Sequence, residues 1–201
     1  MEDALASIEA PSRTPERVKG TLLLARMKFV KARGAEAVEG VLRRLSPEDQ
    51  TALRASLLPS TWYPANLMVR LEHAAASALA GGDRRALFAE MGRFSAGANL
   101  RLGGMQRPYL REGDPQFLLS NVPRMYTSQH STGHREYRRL GDRTALILSL
   151  DEEPFSADDC STTAGWLEQA VALSGGREVR VEETQCRAGG APHCEFRAEW
   201  E

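Results

Sequence analysis

Val181-Glu182-Glu183-Thr184-Gln185-Cys186-Arg187-Ala188-Gly189-Gly190-Ala191-Pro192-His193-Cys194-Glu195-Phe196 is the stretch on which the fold turns. The glycine pair Gly189-Gly190 separates two strand-like runs, Glu178 to Cys186 and His193 to Trp200. A hairpin of this kind brings Cys186 and Cys194 together. The remaining cysteine, Cys160, precedes a helical run from Ser161 to Leu173 that can return the chain to the hairpin. Three thiolates suit zinc, which favours sulfur donors in a closed tetrahedron. Glu182, Glu183, His193 and Glu195 are all near enough to supply the fourth donor. Glu183 and Cys186 are three positions apart, so a regular strand would point them to opposite faces. For both to bind one metal, the strand must bulge or end near Gln185. A helix N-terminus at Cys160 should lower its pKa. Arg187 and Arg197 are expected to offset the charge of the site. The bland alternative is three unrelated buried cysteines acting as small hydrophobes.

Upstream, His134 to Leu140 and Thr144 to Leu150 read as two further strands joined around Gly141-Asp142. Everything before them reads as helix. Thr21 to Lys31 is apolar and helix-favouring, although a strand at Val18 to Leu24 fits the same short run. Ala35 to Leu45 reads as a short helix. Ser46-Pro47-Glu48-Asp49 is a helix start, with Ser as N-cap and acids in the first turn. Trp62-Tyr63-Pro64 is expected to open a helix whose face is Leu67, Leu71, Ala74, Ala78 and Leu79, stopped by Gly81-Gly82. Leu87, Met91, Phe94, Ala98 and Leu102 line the next one. Gly92 and Gly97 lie inside it and cost stability, which close helix packing or a ligand against the backbone would explain. Asp114-Pro115 starts another helix that Pro123 kinks. The order is helices, then strand–strand–helix–strand–strand. This is an α+β pattern: N-terminal helices packed on an antiparallel sheet of four to five strands.

The chain has 201 residues and a formal net charge of −1. That length suits one domain, expected over residues 18–201 after a flexible tail at 1–17. The charge argues against a nucleic-acid partner, which needs a positive field. The arginines at 135, 138, 139 and 143 read as a solvated surface. No apolar run reaches the length of a membrane span, and the start lacks the features of a signal peptide. A cytoplasmic location and no membrane association are therefore expected. In a reducing compartment three cysteines do not form a disulfide framework.

The run from Gly165-Trp166-Leu167 through Phe196 resembles the end of a 4-vinyl reductase domain. The shared signature is E-x-x-C-x-x-x-G-x-x-x-C-x-F, here Glu183, Cys186, Gly190, Cys194 and Phe196. That superfamily also holds the haem-NO-binding fold and small subunits of a vesicle-tethering complex of Golgi transport. In phenol-responsive activators of this type, zinc is held by Cys, Glu, Cys and Cys at similar separations. The resemblance therefore implies structural zinc on Cys160, Glu183, Cys186 and Cys194, and selects Glu183 over its neighbours. From about Val18 onward the chain is also similar to a myxobacterial paralogous family of about 200 residues, through Ser46-Pro47, Trp62-Tyr63-Pro64 and the Gly165 region.

The resemblance further implies an apolar pocket between helices and sheet. The His and Trp that hold phenol in those relatives do not carry over by motif. Candidate lining residues are Phe94, Tyr126, His130, Tyr137, Phe155 and Trp166, each of which could equally be ordinary packing. A haem-ligand role for His134 has only the NO-sensing relatives behind it. The expected function is a zinc-stabilised sensory module binding a small apolar or aromatic molecule. No attached output segment is recognised, so a signal would pass through a homodimer or a protein partner. The alternative is a scaffold or interaction subunit, dimeric like the trafficking relatives, without a small ligand. No dinucleotide fingerprint, P-loop or nucleophile motif is present, so an enzyme is not expected. Asp158-Asp159 is a carboxylate pair, but acids favour a helix N-terminus anyway.

Overall fold

The computed structural model describes residues 16–151 and 157–201. The first strand, β1 (Arg17–Lys19), runs directly into α1 (Gly20–Lys31), followed by α2 (Ala35–Leu42) and α3 (Pro47–Arg54). Ser46 caps α3 by accepting the Asp49 N–H at 3.2 Å, and Pro47 occupies the first turn. Of the expected tail, residues 1–15 lie outside the described residues, whereas Arg17 already belongs to a strand.

Trp62-Tyr63-Pro64 is not the start of a helix. It forms β2 (Trp62–Pro64), antiparallel to β1 with Val18 opposite Tyr63. Proline tolerates such an edge position, and the two aromatics favour extended backbone. Next come α4 (Ala65–Leu79) and α5 (Arg84–Leu100). Asp83 caps α5 through the Ala86 N–H at 2.9 Å. The buried face of α5 differs from the expected stripe: Phe88, Met91, Ser95, Ala96 and Leu100 face inward, while Leu102 lies beyond the helix and is 96% exposed. The expected helix after Asp114 divides into α6 (Pro115–Ser120) and α7 (Val122–Thr127), a full break rather than a kink at Pro123. Pro123 has no N–H to continue the first helix.

Strands β3 (His134–Gly141) and β4 (Thr144–Leu150) form a hairpin, α8 (Ala157–Leu173) follows, and β5 (Arg180–Gln185) and β6 (Cys194–Glu199) close the chain. The four make one antiparallel sheet in the order β3-β4-β6-β5. The α+β architecture is thus the expected one, with β1 and β2 as a separate two-stranded ribbon.

Two apolar clusters build the interior. One joins α1 to α4 and the first half of α5, around Leu23, Phe29, Leu71 and Phe88. The other joins the end of α5, α6, α7 and α8 to the sheet, around Leu118, Ile147, Leu167 and Phe196. Helix α5 belongs to both, and it crosses α8 backbone to backbone. A Cβ on Gly92 would sit 2.0 Å from the Thr162 carbonyl oxygen, and one on Gly165 would sit 2.1 Å from that of Ala89. Glycine at both points is therefore a packing requirement. Gly97 has nothing within 4 Å of such a Cβ, so its helix-weakening cost has no steric return. Among the described residues no helix is long and apolar enough to cross a membrane.

Candidate functional site

The donor atoms of Cys160, Glu183, Cys186 and Cys194 all lie within 4.8 Å of one another. Cys160 Sγ is 3.8 Å from Cys186 Sγ and 3.6 Å from Cys194 Sγ. All three thiols are free of disulfides. Local structure explains the convergence. Strand β5 shifts register between Glu183 and Gln185 and ends there, which turns Glu183 and Cys186 to the same side. A 3₁₀ turn at Arg187–Gly189 then folds the chain back, with Gly190 at φ 95° in the left-handed region glycine tolerates. The Arg187 N–H donates to Cys194 Sγ at 3.3 Å.

The other three candidates for the fourth donor point elsewhere. Glu195 accepts the Thr184 hydroxyl at 2.6 Å, His193 Nε2 lies 3.9 Å from Glu195, and Glu182 is outside the cluster. Arg197 does not offset the cluster's charge either. It pairs with Glu199 at 2.6 Å.

Cys160 lies inside α8 rather than before it, in the first turn. Its thiol is not lowered by the helix terminus. The hydrogen bond with Cys194 pushes its pKa far up, with burial and the neighbouring Glu183 carboxylate adding to the effect. Burial and Glu183 raise Cys186 in the same way. Four acidic donors this close cannot all ionise without a cation to compensate them. A coordinated divalent ion reverses that balance and deprotonates thiols outright. Glu183 Oε1 is also buried without a hydrogen-bond partner. An unpartnered carboxylate oxygen beside three thiols is a donor set suited to a soft or borderline metal.

A cavity of about 180 Å³ lies next to the cluster, between helices α1, α4, α5, α7 and α8 and the sheet. Cys160 is in the wall of both the cavity and the groove onto which the cluster opens. Of the six residues expected in a pocket, Tyr126, His130 and Trp166 line this cavity. Tyr126 and His130 stack face to face, with centroids 4.1 Å apart. Phe94 instead packs edge-on against Phe29 in the N-terminal cluster. Tyr137 bonds Gln116 and packs into the C-terminal cluster, and its burial raises the phenol pKa. Phe155 lies outside the described residues. His134 is half exposed at the start of β3, 3.6 Å from Asp151, and does not line the cavity.

The sequence reading missed the polar part of the wall. Arg26 and Glu72, 6% and 5% exposed, form an ion pair across the cavity wall, and Arg26 Nη1 donates to Ser95 Oγ at 3.0 Å. The available signal was a charge inside the apolar run Leu22-Leu23-Leu24-Ala25-Arg26-Met27. Asp158 and Asp159, the expected carboxylate pair, are engaged with neighbouring helices: Asp158 accepts from Arg84 at 3.1 Å and Asp159 lies 3.2 Å from His73 Nε2.

An α+β chain with a small internal cavity and a Cys₃Glu cluster at its C-terminal hairpin is the class of protein defined by this geometry. Comparison with solved structures gives the same architecture. An H-NOX protein from S. oneidensis in the Fe(II)NO ligation state superposes with a TM-score of 0.66 at 14% identity, covering 91% of this chain and 99% of that one. An Fe(II) unliganded H-NOX mutant from K. algicida gives 0.64 at 11% identity, covering 91% and 96%. An oxygen-binding H-NOX domain related to soluble guanylate cyclases gives 0.64 at 12%, covering 91% and 95%. At these identities the likeness establishes the fold. No curated protein matches the chain. Residues 154–200 match the family model of the 4-vinyl reductase domain, so the resemblance read from Glu183 to Phe196 holds for that segment.

Proposed function

We propose that this protein is a sensory or regulatory module that binds a small molecule in the cavity beside α8 and is held together by zinc on Cys160, Glu183, Cys186 and Cys194. The observation that carries the metal half is the convergence of four donors within 4.8 Å, one of them a buried carboxylate oxygen without a partner. Four protein donors leave no position for a reacting water, so the zinc is structural. It ties the first turn of α8 to the β5–β6 hairpin. The 4-vinyl reductase domain match over residues 154–200 covers all four donors and supports the same reading.

The cavity supports ligand binding over the scaffold alternative, in which side chains would fill this space. About 180 Å³ is slightly more than the ~150 Å³ of an engineered apolar cavity that accepts benzene. A single-ring molecule is the matching size. Haem, suggested by the H-NOX neighbours, does not fit. The cavity is smaller than the ~300–1,000 Å³ typical of pockets for drug-sized ligands, and a porphyrin is large among them. A buried ion pair also stands in its wall. Self-association, expected from the resemblance, belongs to the same proposal and is checked by sedimentation with and without ligand.

Two measurements test the reading. Elemental analysis of freshly purified protein should give one zinc per chain, and none would end the metal half. Thermal shift against single-ring compounds should show saturable stabilisation. A chain that binds none of them but captures a cellular protein would favour the scaffold.

A further inference from the structure

The wall of the cavity carries more polarity than a hydrocarbon site needs. On the side of α1, α4 and α5, Arg26 is bonded to Glu72 and Ser95. A buried ion pair of this kind adds little to stability compared with well-packed apolar residues. In the same wall, Gln106 is 7% exposed and its Oε1 has no hydrogen-bond partner. Thr162 Oγ1, on α8, is buried without a partner as well. Each such group costs about 1–3 kcal/mol unless something in the cavity satisfies it. Gln106 Oε1 can only accept, so it requires a donor. Thr162 can donate to an acceptor.

Charge narrows the class. Arg26 and Glu72 cancel one another, and the remaining acids of the wall, Glu16 and Asp159, oppose an organic anion. Arg135, the other arginine of the wall, donates to Thr163 at 3.1 Å and lies over the Tyr126 ring. A charged guest would be desolvated without a dedicated counter-ion. A plain hydrocarbon ring would leave Gln106 and Thr162 unpaired.

We infer that the cavity selects a neutral, ring-sized molecule bearing both a hydrogen-bond donor and an acceptor, of the cyclic-amide type, with its donor on Gln106 and Thr162 serving its acceptor. This rests on the ligand-binding half of the proposed function and names the ligand's class. It makes the polar wall a specificity device and the aromatic and aliphatic lining the source of bulk affinity.

The test is calorimetric titration of the metal-loaded full-length protein with 2-pyridone, phenol, toluene and benzoate. The expected order is 2-pyridone tightest, then phenol, then toluene, with benzoate weakest. Gln106→Leu should weaken 2-pyridone by about tenfold while leaving toluene unchanged or tighter. Thr162→Val, nearly isosteric, should weaken 2-pyridone in the same sense without loss of fold, which circular dichroism verifies. If toluene binds as tightly as 2-pyridone, or both variants bind every probe as wild type does, the polar-selection claim is overturned and ligand binding itself stands. If no probe binds the folded, metal-loaded protein, both this inference and the ligand half of the proposed function fall.

Discussion

The Cys₃Glu cluster and the neighbouring cavity share Cys160 but are built in opposite ways. The cluster draws on two stretches, the first turn of α8 and the β5–β6 hairpin, and all four donors lie in the last quarter of the chain. The cavity draws on five helices and the sheet, from Glu16 to Phe196. A site made from local segments depends on a few donors. A site made from the whole fold depends on how helices are held relative to one another, and α5 is the strut between the two halves of the interior. Damage to the cluster should therefore be severe and confined to donor residues. Damage to the cavity should follow from packing faults far from any ligand.

The largest effect should come from the cluster. Cys194→Ser, or exhaustive chelation, removes a donor from a site whose binding energy is folding energy. A loss of about 4 kcal/mol or more in chemical denaturation is expected, with release of zinc. A variant that keeps its metal and its stability would break the contrast, because the cluster would then be incidental.

Arg26→Met comes next. It strands the Glu72 carboxylate in the interior and should cost about 3–5 kcal/mol, whereas Arg26→Met combined with Glu72→Leu should recover most of that loss. Equal instability of the single and double variants would show that the pair contributes packing rather than charge compensation.

Gly92→Ala places a methyl 2.0 Å from the Thr162 carbonyl oxygen and must push α5 and α8 apart. About 1–3 kcal/mol of destabilisation is expected. The same substitution at Gly97, where nothing approaches, should stabilise by up to about 1 kcal/mol. Opposite signs at two glycines of one helix would sharpen the comparison, since only Gly92 faces the crossing. Thermal unfolding of both variants measures it.

The smallest effect lies far from both sites. Arg70 donates to Asp49 through Nε at 2.6 Å and Nη2 at 2.8 Å, and this holds the Asp49 carboxyl below its ordinary value of 3.8. A depressed carboxylate contributes stability above its unfolded pKa and loses it as pH falls through the folded one. Asp49→Asn should cost about 1 kcal/mol at pH 7, because Arg70 is half exposed, and the difference from wild type should vanish in strong acid. Denaturation of the two proteins across pH 2 to 7 checks the sign.

The same contrast explains what could be read from the chain itself. The β5–β6 hairpin, its ligand spacing and the break near Gln185 were legible, because turns and strand alternation are local. The helices were legible in kind, but Trp62-Tyr63-Pro64 was not recognised as a strand, since its partner is β1, more than forty residues earlier. Cys160 was placed before α8 because acids and a cysteine precede the apolar part of that helix. The helix starts earlier, and the thiol's environment is set by Cys194 rather than by the helix terminus. In the cavity, aromatic residues drew attention and three of them line it. Arg26, Glu72, Gln106 and Thr162 did not stand out, because nothing local marks a polar side chain that will face an internal space.

Metal content under native purification tests the central claim most directly. Mass spectrometry of the intact protein sprayed from a non-denaturing buffer should show a mass increment of one zinc ion per chain that Cys186→Ser abolishes. An unmodified apo mass from cells grown with ample zinc, for a protein that is folded and stable, would contradict the account.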